Sequence, residues 1–185
     1  MIQRINPKAR HDAYGSRINR DHSPLRATIV PWVSILLASL LQILPVATAL
    51  PILPPLGLMM LLGWRLFQPG VLPVWAGFPL GLFDDLFSGQ PFGSAILLFS
   101  LAMLAIELIE RRLPWRSFAL DWAIASGILT AYLLAAVLFS GAPPGLPVAV
   151  AMVPQLLLSL LLFPIIARMV AWLDRLRLRR VRVVR

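Results

Sequence analysis

The amino-acid sequence predicts an all-α membrane protein that folds as a bundle of six transmembrane helices. Of its 185 residues, 59% are hydrophobic and only 14% are charged, whereas a soluble domain carries about 25% charged residues. Two segments, Ala27–Trp64 and Trp122–Ala167, contain no Asp, Glu, Lys or Arg over 38 and 46 residues. Because about 20 apolar residues cross the hydrocarbon layer, each segment is long enough for two crossings.

Helix-breaking residues and charges divide the apolar sequence into six spans. The first follows Ser23-Pro24, a pair typical of a helix start, and ends before a proline-rich segment. The Gln68-Pro69-Gly70 turn separates the second span from the third, and an arginine-rich segment ends the sixth. The predicted spans are Ala27–Val46, Leu56–Phe67, Val71–Phe87, Gly93–Arg111, Phe118–Phe139 and Val148–Leu173.

The second predicted span is unusually short. Its 12 residues would form a helix about 18 Å long, against a hydrocarbon layer of about 30 Å. We therefore expect this span to include part of the preceding proline-rich segment or to be only partly helical.

The net charge of +9 is concentrated at the two ends of the chain. Residues 1–26 carry a net charge of +4, residues 168–185 carry +6, and the segment between them carries −1. If the N-terminus is cytoplasmic, all 17 basic residues fall on the cytoplasmic side of a six-span topology, as the positive-inside rule requires. The sequence therefore predicts a basic cytoplasmic N-terminal tail (1–26), a six-span membrane domain (27–173) and an arginine-rich cytoplasmic C-terminal tail (174–185).

Composition also bears on function. The basic residues serve this topology and form no aromatic-basic motif, so we expect no binding to nucleic acid. The absence of cysteine excludes disulfides, thiolate metal sites and cysteine catalysis.

All six tryptophans fall near the proposed cytoplasmic interface, where this residue is enriched. They are Trp32, Trp64, Trp75, Trp115, Trp122 and Trp172.

Few ionisable residues fall within the spans, and each is costly there, at about 2.5–3.5 kcal/mol on insertion scales. They are Asp84, Asp85, Glu107, Glu110 and Asp121. Glu107 precedes Arg111 by four residues, which predicts an ion pair within one helix. Asp121 is expected to pair with Arg112 or Arg116, and Gln42 and Gln155 are expected to bond between helices. No suitably placed acid, base or metal ligand accompanies the aspartates, so we predict neither catalysis nor a cofactor.

The small and polar residues of the third span share one helical face. At 100° per residue, the face spans about 80° of arc and holds Pro73, Gly77, Gly81, Asp84 and Ser88. Gly77 and Gly81 form a GxxxG pair, which lets another helix approach closely. This face is expected to serve helix packing within the chain or contact with a partner. Pro73 and Pro79 are expected to bend the helix or to require a local rearrangement.

The segment Gly81–Gly93, with the sequence GLFDDLFSGQPFG, resembles the signature of the rod shape-determining protein MreD family. The matching positions are Gly81, Asp85, Ser88, Gly89, Pro91 and Gly93. The resemblance assigns the family aspartate to Asp85, whereas the helical face favours Asp84. Both carboxylates therefore remain candidates.

The resemblance implies a non-enzymatic protein of the bacterial inner membrane. It would bind MreC and act with MreB, RodA and an elongation transpeptidase in lateral peptidoglycan synthesis and control of cell shape. The resemblance also implies a fold similar to that of the substrate-binding membrane subunits of ECF-type vitamin transporters, which are six-helix bundles.

Two functions are consistent with these residues. The first is a scaffold that holds a single-span partner against the third span and its outer turn, with Gly77, Gly81, Asp84, Asp85, Ser88, Gly89, Pro91 and Gly93 as packing or interface residues. The second is a small-molecule-binding subunit or transporter, which needs several polar groups converging on a cavity.

The arginine-rich C-terminus predicts contact with anionic lipids, at about 1 kcal/mol per basic residue near the membrane surface. A role in topology alone and a cytoplasmic docking role are the alternatives. The residues concerned are Arg175, Arg177, Arg179, Arg180, Arg182 and Arg185.

Overall fold

The structure, a computed structural model, describes residues 24–43, 53–89, 91–113, 117–141 and 145–177. Within these ranges all regular structure is helical, and six α-helices follow one another along the chain. They are α1 (Pro24–Leu40), α2 (Leu56–Phe67), α3 (Gly77–Phe87), α4 (Ser94–Arg112), α5 (Phe118–Phe139) and α6 (Leu146–Arg177). Short 3₁₀ turns follow α1 at Leu41–Ile43 and precede α3 at Val74–Ala76.

Four of the helices have bounds that differ from the predicted spans, and proline and glycine explain two of the differences. The chain from Val71 becomes α-helical only at Gly77, because Pro73 takes an extended conformation and is followed by a 3₁₀ turn. Pro79 lies in the first turn of α3, where its missing N–H costs nothing. Gly93 has φ +94° and therefore stands outside α4 as its N-cap.

The two end helices differ most. The α-helical part of α1 ends at Leu40, and the rest of the first predicted span, from residue 44, lies outside the described residues. α6 is 32 residues long, about 48 Å, and continues to Arg177 through the start of the predicted C-terminal tail.

The centre of the fold is α2, which packs against α1, α4, α5 and α6. Every residue from Gly57 to Leu66 is buried, as expected of a helix that is apolar on all sides. The helix is no longer than its 12 predicted residues, and the Leu53–Pro55 segment before it is not helical. Gln155 of α6 donates a hydrogen bond to the Leu53 carbonyl oxygen at 2.8 Å, which satisfies a backbone group at this break.

Contacts at the two ends show that successive helices alternate in direction. We call one end the aspartate end; it holds Gln42, Gly57, Asp84, Asp85 and Ser94. The other, the arginine end, holds Arg65, Glu107, Glu110 and Asp174. Helices α5 and α6, the latter over Met152–Arg177, are long and apolar enough to cross a membrane, whereas α1 and α2 are shorter apolar helices.

The tryptophans do not all lie at the surface. Trp75, Trp122 and Trp172 are exposed, and Trp32 packs beside Trp75 with ring centroids 5.6 Å apart. Trp64, however, is fully buried and donates an indole hydrogen bond to Ser34 Oγ at 2.8 Å. The burial of Trp64 between helices was not predicted, and it follows from the central place of α2 in the bundle; its predicted depth near the cytoplasmic interface stays a prediction. Trp115 lies outside the described residues.

Candidate functional site

The side chain of Asp85, at the end of α3, caps the first N–H groups of α4. Gly93 occupies the N-cap position of α4 but has no side chain that could do so. One of the Asp85 carboxylate oxygens accepts hydrogen bonds from the backbone N–H groups of Gly93 at 3.0 Å and Ile96 at 3.1 Å, and the other accepts that of Ala95 at 2.8 Å. The Ser94 hydroxyl lies 3.5 Å from the same carboxylate. A helix start leaves four N–H groups without partners inside the helix, and within a membrane each costs several kcal/mol if unsatisfied. Asp85 therefore holds α3 to the start of α4.

The turn between α3 and α4 depends on two glycines with positive φ. Gly89 has φ +67° and Gly93 has φ +94°, a backbone conformation that other L-residues rarely adopt. The Ser88 N–H bonds to the Asp84 carbonyl oxygen at 2.8 Å, and the Ser94 N–H bonds to the Pro91 carbonyl oxygen at 3.0 Å. These bonds end one helix and begin the next. Gln90 lies outside the described residues.

Gly77 and Gly81 bring α3 directly against α4. A Cβ atom at Gly81 would lie 2.6 Å from the Ala95 carbonyl oxygen, and one at Gly77 would lie 2.8 Å from the Phe99 carbonyl oxygen. Both obstacles are backbone atoms, which cannot move aside as a flexible side chain would. The GxxxG face is therefore occupied by a helix of the same chain.

Asp84 points away from Asp85, towards α1 and α2. It is 1% exposed, and one carboxylate oxygen lies 3.4 Å from the Gln42 side-chain nitrogen. A Cβ atom at Gly57 would lie 2.8 Å from that same oxygen and would collide with the Ser39 hydroxyl. Ser39 and Gly57 were not predicted as neighbours of Asp84, because they lie on other helices.

Arg65 organises the arginine end. This buried side chain of α2 pairs with Glu107 and, at 2.8 Å, with Glu110 of α4. The predicted pair of Glu107 and Arg111 is present at 3.2 Å. The interhelical pairs of Arg65 were not predicted, although Arg65 is the one charged residue of the second predicted span. Asp121, expected beside Arg112 or Arg116, is buried in the first turn of α5, and Arg116 lies outside the described residues.

The described arginines of the C-terminal segment differ in environment. Arg175 is exposed, as a lipid-facing residue would be. Arg177 pairs with Asp174 at 2.7 Å and lies over the Trp64 ring, 5.7 Å from its centroid. Arg177 therefore binds within the bundle in this structure, because α6 continues past Asp174. Arg179, Arg180, Arg182 and Arg185 lie outside the described residues.

An apolar cavity of about 230 Å³ lies beside the α3–α4 turn at the aspartate end. It is lined by Pro91, Phe92, Gly93, Ser94, Leu97 and Phe139. Phe92 is 72% exposed and Leu97 is 48% exposed. Among the residues that the structure describes, no group of three or more His, Cys, Asp or Glu side chains could share a metal ion.

Comparison with known families agrees with the motif. The family model described as rod shape-determining protein MreD matches residues 26–176, which include all six helices except the first two residues of α1 and the last residue of α6. No curated protein and no solved structure matches the chain. With its long apolar helices α5 and α6, this membrane protein belongs to the MreD family of rod shape-determining proteins.

Proposed function

We propose that this protein is a non-enzymatic, multi-pass scaffold of the bacterial inner membrane that binds MreC and supports lateral peptidoglycan synthesis. The family match over residues 26–176 carries this proposal, because that family acts in rod-shape determination. The polar contacts described above support a scaffold. Asp85, Arg65 and Arg177 each hold one helix or helix end to another.

We place both termini in the cytoplasm, the arginine end at the cytoplasmic surface and the aspartate end at the outer surface. The one-sided distribution of the 17 basic residues supports this orientation. The chain contains no cysteine, so single cysteines can be introduced and labelled from either side. Labelling from outside at position 116 would contradict the orientation, whereas labelling from outside at position 89 is expected.

The MreC contact is assigned to the outer turn and the cavity beside it. Helix α4 already packs against Gly77 and Gly81, so these glycines are not available to a partner. Phe92 and Leu97, in contrast, present exposed apolar surface at the cavity. Gly89 and Pro91 are exposed in the same turn. We expect apolar side chains of a single-span partner to enter this cavity, while Asp85 and Gly93 maintain the turn that forms it.

The deciding experiment is affinity purification of the protein and MreC from membranes. Phe92→Ser and Leu97→Ser are expected to reduce MreC recovery and to produce rounded cells, with no change in the amount of folded protein. Phe78→Ser is the matched control, because Phe78 is 58% exposed but lies on α3, away from the cavity lining. Normal MreC recovery with both cavity variants would contradict the assignment.

Further contacts with MreB, RodA and the transpeptidase are proposed for the larger assembly. The C-terminal arginines beyond Arg177 are proposed to bind anionic lipids or to dock cytoplasmic partners. Deleting residues 178–185 is expected to weaken binding to anionic vesicles while leaving the Arg177 contacts in place. If the deletion changes neither lipid binding, cell shape nor partner recovery, these arginines serve only to set the membrane topology.

The alternative function is a small-molecule-binding subunit or transporter, and one experiment would distinguish it from the scaffold. A ligand-dependent thermal shift that Asp85→Asn abolishes would favour it. The geometry favours the scaffold, since the Asp85 carboxylate already accepts three backbone N–H groups. The similarity to ECF-type vitamin transporter subunits stays a prediction.

A further inference from the structure

The face of α6 that is turned away from the bundle carries two arginines near the end of the helix. Arg168 and Arg175 are exposed, and Trp172 between them is 58% exposed. At 100° per residue these three residues fall within about 60° of arc, roughly opposite Phe163 and Val170, which are fully buried. This part of α6 therefore faces lipid and not another helix of the chain.

Neither arginine has a counter-charge in the described part of the chain. Arg168 and Arg175 form no ion pair and no hydrogen bond with any described residue. The adjacent carboxylate, Asp174, is buried against the bundle, where it pairs with Arg177 and accepts a hydrogen bond from Gln68. Because an unpaired charge in a membrane span is costly, the balancing charge for the two arginines has to come from outside the helix bundle.

The length of α6 places these residues at the level of the lipid headgroups. Its apolar part begins at Met152, and about 20 residues, or about 30 Å of helix, cross the hydrocarbon layer. The layer therefore ends near Ala171, with Arg168 about 5 Å inside this boundary and Arg175 about 6 Å beyond it. An arginine at the depth of Arg168 extends its side chain to the boundary. Trp172 lies at the boundary itself, where indole rings are favoured.

We propose that Arg168, Trp172 and Arg175 bind the phosphate group of one anionic phospholipid in the cytoplasmic leaflet. The two guanidinium groups reach the phosphate from opposite sides of the boundary, and each can donate paired hydrogen bonds to its oxygens. The indole N–H of Trp172 supplies a further donor. This face of α6 carries two positive charges and no acidic residue. It therefore favours an anionic lipid over a zwitterionic one, whose headgroup amine cancels the charge of its phosphate.

The same face continues into the membrane as an apolar surface for the lipid chain. Leu157, Leu161 and Ile165 are exposed and lie within about 80° of arc with Arg168. The site differs from the lipid contact proposed for the C-terminal tail, because Arg168 lies inside the sixth predicted span. It goes beyond the scaffold function and rests on that proposal only for the cytoplasmic position of the arginine end.

The test is quenching of tryptophan fluorescence in the purified full-length protein, reconstituted into phosphatidylcholine vesicles. Phosphatidylglycerol or phosphatidylcholine with brominated acyl chains replaces part of the lipid. The signal of Trp172 is the difference between each protein and its Trp172→Phe form. We expect brominated phosphatidylglycerol to quench Trp172 at a lower mole fraction than brominated phosphatidylcholine. Arg168→Gln and Arg175→Gln are each expected to reduce this preference by about fivefold.

Arg111→Gln is the matched control, because Arg111 is also exposed but lies on α4 and pairs with Glu107. It is expected to keep the preference, as is deletion of residues 178–185. Equal quenching by the two lipids, or an unchanged preference in both Arg168→Gln and Arg175→Gln, overturns the proposal. A preference that only the deletion removes assigns the lipid to the tail and also overturns it. Displacement of the lipid by inorganic phosphate at constant ionic strength would reveal a site for soluble phosphate and would refute a lipid site.

This result is separable from the scaffold function. Both leaflets of the vesicles contain the same lipids, so the measurement does not depend on how the protein is oriented in them. Loss of the lipid preference with normal MreC recovery would refute this inference alone. A normal preference without MreC recovery would refute the scaffold alone, and labelling at position 116 tests the orientation that both proposals share.

Discussion

The carboxylate of Asp85 accepts the backbone N–H of Ala95 at 2.8 Å, so a side chain at the end of α3 caps the start of α4. Asp85 lies ten residues before Ala95, and most N-caps are local residues of the same helix. This arrangement makes the turn and the cap a single unit. The capping aspartate, the turn and its two positive-φ glycines all lie within the 13 residues Gly81–Gly93.

The first prediction concerns this cap. Asp85→Ala is expected to lower the free energy of unfolding by about 2–3 kcal/mol, because three backbone N–H groups lose a charged acceptor. Asp85→Asn keeps one acceptor oxygen and should cost less. Unfolding of the purified protein in detergent, titrated with a denaturing detergent, measures both. Equal stability of wild type and Asp85→Ala would show that water or another group satisfies these donors.

The second prediction concerns the contact between α3 and α4. Gly81→Ala is expected to destabilise the fold by about 1–3 kcal/mol, the usual cost of overpacking, because its Cβ would meet the Ala95 backbone. Gly127→Ala on α5 is the control, since nothing lies within 4 Å of a Cβ there. That variant should be neutral or gain up to about 1 kcal/mol from helix propensity. Similar losses in both variants would contradict the close contact.

The third prediction concerns the arginine end. Arg65→Ala is expected to destabilise the protein by about 3–5 kcal/mol, because it removes the buried cation that joins the partly buried carboxylates of Glu107 and Glu110. Adding Glu107→Gln and Glu110→Gln to this variant should recover part of the loss. Arg111→Ala, which removes a side chain that is 75% exposed, should cost about 0–1 kcal/mol. Chemical unfolding of the four proteins tests this, and a loss from Arg65→Ala no larger than that from Arg111→Ala would refute it.

The fourth prediction separates two arginines of α6. Arg177→Ala is expected to lower stability by about 1–2 kcal/mol, because it removes the Asp174 ion pair and the contact with the Trp64 ring. It should also change Trp64 fluorescence. Arg175→Ala should leave both unchanged while weakening binding to anionic vesicles. The reverse pattern would place Arg177 at the lipid surface.

Much of the helix arrangement was predictable because its signals are local. The starts and ends of α2 and α5 coincide with the predicted spans, since prolines and charges mark them. The Glu107–Arg111 pair follows from its spacing. Gln42 donates a long bond to Asp84 on another helix, as expected, whereas Gln155 donates to the carbonyl oxygen of Leu53, which is not in a helix.

What could not be predicted depends on which helices become neighbours. The glycine spacing of α3 indicates a close approach, but it does not say that the approaching helix is α4. The burial of Trp64 and the pairing of Arg65 with Glu110 likewise require that α2 be central. The motif and the helical face disagreed over Asp84 and Asp85 because successive residues on a helix point to different neighbours.

The central position of α2 has a consequence for biogenesis. The ribosome completes Arg65 42 residues before Glu107, so a nascent chain that ends before α4 lacks both carboxylates that pair with Arg65 in the structure. The final position of α2 is therefore expected to be reached only after α4 has been synthesised.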